Sequence, residues 1–133
     1  MNILLDTHII LWCLYDPDRL PAKAVDLISD PDNWLYYSRV SLWECEIKHI
    51  KHPDTFAMNA EDVLTDSHRA GFYDLPLESR HILALSSVGE PHGTDHQDPF
   101  DRMLMAQAVA ENMAFLTHDS RLPAYNIHNV IFI

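Results

Sequence analysis

Apolar positions along the chain switch between short unbroken runs and helical spacing. "NILL" (2–5) has the form of a short buried strand, and "DTHIILWCLYD" (6–16) then reads as a helix. "RLPAKAVDLISD" (19–30) predicts a second helix, with Pro21 in its first turn. Aromatic "WLYY" (34–37) predicts a strand. "SLWECEIKHIK" (41–51) returns to a helical period, which His52-Pro53 breaks. Residues 59–70 fit a helix ending at Gly71, "FYDL" (72–75) a third strand, and 78–88 a further helix. The loop "GEPHGTDHQ" (89–97) leads into a helix over 99–112. Strand "AFLT" (114–117), a helical turn near 120–125 and a terminal strand "VIFI" (130–133) complete the pattern. Strands separated by helices predict an α/β fold, a parallel sheet covered on both faces. Such sheets bind ligands beyond the carboxyl ends of their strands.

Four acids fall at that rim. Asp6 follows "ILL" at the exit of the first strand, and Asp119 follows "FLTH" at the exit of strand 114–117. Glu44 is expected in the first turn of the helix after strand 34–37, and Asp101 in the first turn of the helix opened by Pro99. Each has a plain structural use. "SLWE" (41–44) reads as a capping box with Ser41 as N-cap, and "DPFD" (98–101) places Asp98 at the N-cap, Pro99 at N1 and Asp101 at N3. Asp6 and Asp119 could likewise cap the helical turns that follow them. Together they point elsewhere: four converging carboxylates repel one another and raise their own pKa values. A hard divalent cation such as Mg²⁺ or Mn²⁺ relieves that repulsion. The metal reading holds if the acids converge.

Composition narrows the rest. With 133 residues the chain fits one domain, and 47% hydrophobic content with three glycines suits a globule. "MNILLDTH" meets an acid after three apolar residues, so neither a signal peptide nor a membrane span is expected, and a soluble cytoplasmic protein is. The net charge of −11 provides no overall basic footprint for nucleic acid. Acid-rich balance suits a solvated surface, a basic partner, or carboxylates gathered around cations. Cys13 and Cys45 form no C-x-x-C pair and read as small buried side chains. His49 and His52 stand at i, i+3 with no third ligand. Nucleophile elbows, P-loops and dinucleotide motifs are missing. Phe100, Met103, Leu104, Gln107 and Ala108 form a helix face packed on the sheet. Trp12, Trp34 and Trp43 read as core or dimer contacts in preference to base-stacking platforms.

Four stretches, "LLDTHIILWCL", "SLWECEIK", "DPFDRMLMAQA" and "FLTHDSRLPAY", span nearly the whole chain. In sequence, order and approximate spacing they resemble PIN-domain ribonucleases, specifically the VapC-type toxins of bacterial and archaeal toxin–antitoxin pairs. The resemblance implies a single PIN domain over 1–133, a three-layer α/β/α sandwich with a central parallel β-sheet. It implies Mg²⁺- or Mn²⁺-dependent endonucleolytic cleavage of RNA, leaving 5′-phosphate and 3′-hydroxyl ends. Carried over, it makes Asp6, Glu44, Asp101 and Asp119 the acidic metal site, with Asp98 capping the helix or lying behind it. It also implies a cognate antitoxin whose arginine or aromatic tail enters the acidic groove, and a homodimer is expected.

RNA contacts then fall to Arg39, Lys48, Arg102 and Arg121, which lie beside the acidic motifs and equally well pair with neighbouring acids. Thr7 and Ser120 flank two of the acids and could add a hydroxyl to metal or phosphate, and His118 could orient a carboxylate or meet a phosphate. Three features depart from the family: Gln97 replaces a frequent basic residue, 51–58 lacks a glycine turn, and loop 89–97 is long. Two other functions compete. One is an inert PIN-fold module that holds metal or RNA without cutting. A phosphoacceptor receiver domain needs an acidic pair after the first strand and a late lysine, yet only Asp6 follows that strand and no lysine follows Lys51.

Overall fold

The structure, a computed structural model, describes residues 1–89, 98–125 and 127–133. Its strands are β1 (Asn2–Leu5), β2 (Trp34–Ser38), β3 (Tyr73–Leu75), β4 (Ala114–Thr117) and β5 (Val130–Phe132). All pair in parallel, in the order β3-β2-β1-β4-β5. The helices are α1 (Thr7–Tyr15), α2 (Ala22–Ser29), α3 (Arg39–Lys51), α4 (Ala60–Arg69), α5 (Ser79–Leu83), α6 (Leu85–Val88) and α7 (Pro99–Glu111).

Parallel strands bury both faces, and the period of two sorts their side chains between them. Ile3, Leu5 and Leu116 join Ile9 and Ile10 of α1 in one core. Leu4 and Phe115 join Leu104, Met105 and Ala108 of α7 in the other. The sheet is thus the middle layer of an α/β/α sandwich, as expected. The anticipated α7 stripe also packs as predicted, with Leu104, Gln107 and Ala108 buried.

The topology removes one rival. A receiver domain has the strand order 2-1-3-4-5, whereas here β1 is central and the chain runs outward in both directions from it. The order reverses between β1 and β4. A ligand crevice therefore opens where Asp6 and Asp119 leave the sheet.

Most element boundaries match the hydrophobic pattern, and the exceptions have local causes. Helix 19–30 is a 3-10 turn over Pro17–Arg19 followed by α2, with Pro21 outside as N-cap. The single helix over 78–88 is two short ones joined at Ala84. Helix α3 begins at Arg39, directly off β2, because the Ser38 hydroxyl accepts the Val40 N–H. Ser41 is therefore not a cap, and Glu44 sits in the second turn. Gly71, at φ +83°, lies just past the end of α4 as expected, while α7 ends on Asn112 at φ +53°. Without a glycine, the chain after α3 turns on the Thr55 and Phe56 N–H groups, both donating to the His52 carbonyl. Among the described residues, no helix is long and apolar enough to cross a membrane. Gln97 and the rest of loop 90–97 lie outside the described residues.

Candidate metal centre

Asp6 sits at the switch point. Its backbone N–H donates to the Leu116 carbonyl at 3.0 Å, which locks the exit of β1 to the exit of β4. As the N-cap of α1 it accepts the Thr7 N–H on Oδ1 at 2.7 Å. Its other oxygen, Oδ2, accepts the Thr117 hydroxyl at 2.7 Å. That hydroxyl in turn accepts the Asp119 N–H at 3.0 Å, so one buried threonine orients both strand-exit acids.

Glu44 is 3% exposed and reaches the same rim from α3. The Thr7 hydroxyl donates to its Oε1 at 2.8 Å, and Lys48 Nζ binds Oε2 at 2.6 Å. Thr7 has a single hydroxyl proton, so the 2.8 Å contact between Thr7 and Ser41 is donated by Ser41. Ser41 is thus useful for steadying Thr7 and Glu44, not for capping.

The fourth acid enters on α7. Asp98 caps that helix as the sequence predicts, its Oδ1 accepting the Phe100 and Asp101 N–H groups at 2.8 and 3.2 Å. Pro99 fills N1, where a missing N–H costs nothing. Asp101, 8% exposed, is left facing the acids from the first turn. Burial first, and then the negative charges of Asp6, Asp98, Glu44 and Asp119, push its carboxyl up to about 8. Burial raises Asp6 to about 6, against the lowering effects of the Thr117 bond, nearby His8 and the Thr7 N–H. The four predicted acids therefore share one electrostatic site with Asp98 beside them. Dense oxygen donors, too much negative charge and too little solvent are what a hard divalent ion matches.

Asp6, Glu44 and Asp119 each have protein partners of their own. Among the described residues, three ligand atoms come within 4.8 Å of one another only at Glu78, His81 and Glu111, the last at the far end of α7 from Asp101. That trio is spent internally: Arg80 bonds both glutamates, and His81 accepts the Glu78 N–H while its Nε2 faces Glu111. With Arg80 set against the two glutamates, it carries less surplus charge than the rim.

The cationic candidates divide. Arg121 holds Asp119 with two guanidinium bonds, at 3.0 and 2.7 Å, and Lys48 holds Glu44. Both thus stand at the acidic rim. Arg39 is turned away onto Asp74 at 2.7 Å. Arg102 is half-buried on α7, and Ser120 is exposed beside Asp119. His118 does not orient a carboxylate; its Nδ1 donates to the Ile133 carbonyl. His49 likewise spends Nδ1 on the Phe56 carbonyl at 2.8 Å, and His52 caps the end of α3. Cys45 is buried and Cys13 half-buried, and burial pushes their thiols to about 12 and 11. A core role fails for two tryptophans: Trp34 and Trp43 are 54% and 58% exposed. Sequence reasoning missed Thr117, Ser41 and His8. Thr117, the last strand residue two positions before Asp119, was the one with a readable signal.

Comparison with known proteins agrees with this fold. The family model of the PIN domain matches residues 3–127. No match is found among curated protein sequences. Among solved structures, VapBC2 from Rickettsia felis, bound to a DNA fragment from its promoter, is similar with a TM-score of 0.66 at 16% identity. That alignment covers 100% of this chain and 98% of the other. FitAcB from Neisseria gonorrhoeae aligns with a TM-score of 0.59 at 19% identity, over 97% of this chain and 96% of its own. FitAB bound to the IR36 DNA fragment gives 0.62 at 19% identity, covering 98% and 94%.

Proposed function

The chain belongs to the PIN-domain family, and on that footing we propose that it is a divalent-metal-dependent endoribonuclease, a VapC-like toxin of the cytoplasm silenced by a cognate antitoxin. The observation that carries the reading is the hydrogen-bond network joining the acids, in which Thr117 binds Asp6 and Asp119 and Thr7 binds Asp6 and Glu44, with Asp101 raised by its burial and by their charges. Asp6, Glu44, Asp101 and Asp119 are the four that the family resemblance implies as its acidic set.

Asp6, Asp101 and Asp119 would hold Mg²⁺ or Mn²⁺, with Glu44 joining directly or through water. A bound divalent ion supplies Lewis acidity, activating water for in-line attack and neutralising charge that builds on the phosphate. The chain's own residues do the positioning. Thr117 and the Thr7 N–H aim both oxygens of Asp6, and Thr7 with Lys48 aims Glu44. Arg121 and Lys48 stand beside the acids, where a scissile phosphate would find them, each now tied to a carboxylate. Two divalent ions would bring the net charge of −11 to about −7, so RNA must bind through this local patch. A basic antitoxin tail suits the same acidic groove.

One observation favours a non-cutting metal or RNA module instead: the Arg121 guanidinium already covers both oxygens of Asp119. A cleavage assay decides. Purified protein should cut RNA with Mg²⁺ or Mn²⁺ and stop in EDTA. Asp6→Asn, which still caps α1, should keep the fold and lose cleavage. Equal cutting by wild type and a rigorously purified Asn variant would refute the metal role.

A further inference from the structure

An aromatic cavity borders the acidic site and is not needed by it. His8 and Trp12 lie one turn apart on α1, their rings in edge contact at 6.3 Å. Trp12 meets His118 at 5.3 Å, and His118 stacks on Phe132 at 6.0 Å and 14°. The Arg19 guanidinium sits over the Trp12 ring at 5.5 Å. His8, Trp12, His118 and Asp119 line a cavity of about 210 Å³. At about 30 Å³ per water, that is room for one planar ring, not a packing defect.

The arrangement shares residues with the catalytic rim on both sides. Asp119 is a wall of the cavity and a member of the acidic set. His8 lies near enough to Asp6 to lower its pKa. Trp12 itself is half-buried, packed against the core as the sequence reading has it, and also lines the cavity. His118 is anchored by its bond to the Ile133 carbonyl, so in its neutral form Nε2 is the acceptor.

We propose that this cavity is a nucleobase subsite, taking by stacking on Trp12, with the His118 ring at its edge, the base next to the scissile phosphate of single-stranded RNA. The proposal rests on the ribonuclease reading. Stacking on aromatic faces with a cation alongside is how proteins hold unpaired bases without reading their edges. A strand whose phosphate lies among the acids has a neighbouring base within reach of a cavity walled by Asp119. RNA is favoured over a protein tail because this aromatic wall, Trp12 and His118 meeting edge to face at 60°, stands directly beside a residue that would hold the phosphate's metal.

The test is an abasic walk. A short single-stranded RNA cleaved at one bond is remade with one abasic nucleotide at each position flanking that bond. One flanking position should raise KM about 5- to 150-fold when abasic, with a much smaller change in kcat. Trp12→Ala should raise KM on the intact RNA similarly and erase the further abasic penalty, while Trp12→Phe restores most of it. The abasic arm leaves the protein untouched, so a poorly folded Trp12→Ala does not cloud it. No sensitive position, or full abasic sensitivity in a folded Trp12→Ala, overturns the subsite and leaves the nuclease reading standing. If wild type cuts no RNA, the nuclease reading fails. Binding in EDTA then decides, read by Trp12 fluorescence in a Trp34→Phe/Trp43→Phe background. Quenching by intact RNA but not by the abasic strand supports the subsite; absence of quenching, or quenching only by an arginine-bearing peptide, overturns it.

Discussion

Asp101 shows how much a single side chain can reveal when its environment is wrong for it. Its carboxyl titrates near 8 in the fold, against an ordinary value of 3.8. Between those values the folded protein keeps a proton that the unfolded chain has released, so stability falls as pH rises through that window. Asp101→Asn removes the penalty and keeps a polar group of the same shape. Without metal, the variant should melt level with wild type near pH 4 and several degrees above it near pH 8, in thermal scans at both pH values, while losing cleavage. A constant difference across pH would mean that the charge of Asp101 is not what strains the site. Thr117 makes the complementary case. Its hydroxyl lowers Asp6 and receives the Asp119 N–H, so Thr117→Val strands two buried polar partners. Urea unfolding should show a loss of about 1–3 kcal/mol, Mn²⁺ titration a weaker site, and Thr117→Ser should recover both.

At the scale of elements, the sequence was most legible where one signal acted alone. "DPFD" carries a cap, a proline at N1 and a first-turn acid, and α7 starts where they say. Asp98→Ala should therefore cost about 1 kcal/mol in urea unfolding. Asp98→Asn keeps the cap and removes a charge facing Asp101, and should equal or exceed wild type; a loss in both variants would argue against that charge coupling. "SLWE" misled because two serines compete. Ser38 caps α3 three residues earlier, at the end of β2, and Ser41 falls inside the helix to serve Thr7. Capping residues define a start only relative to where the strand ends, which the sequence leaves open by several positions. Thus all four site acids were nameable, yet the turn of α3 that carries Glu44 was not. The core reading of Trp34 and Trp43 failed for another reason: hydrophobicity predicts burial in general, while Trp34 stacks at 5.3 Å on Tyr73 and Trp43 packs edge-on at 5.0 Å with Phe100, both at the surface.

For the whole molecule, the strand order turns residue choices into a site. An acid at any strand exit can cap a helix, but only between β1 and β4 do helices leave in opposite directions and open a crevice. Concentrating acids there costs stability in the metal-free fold, and linkage requires that a bound ion return it. Ion binding needs Asp101 and Asp6 ionised, so it must compete with protons at carboxyls sitting near 8 and 6. Mg²⁺ or Mn²⁺ should therefore raise the melting temperature more at pH 8 than at pH 5.5, by up to about 2.7 kcal/mol of stability at a hundredfold excess over Kd. Asp6→Asn should lose most of that gain, whereas His81→Gln, at the other carboxylate cluster, should keep it. A gain that ignores pH, or that survives Asp6→Asn and vanishes with His81→Gln, would move the ion to Glu78, His81 and Glu111 and leave the crevice acids without their cation.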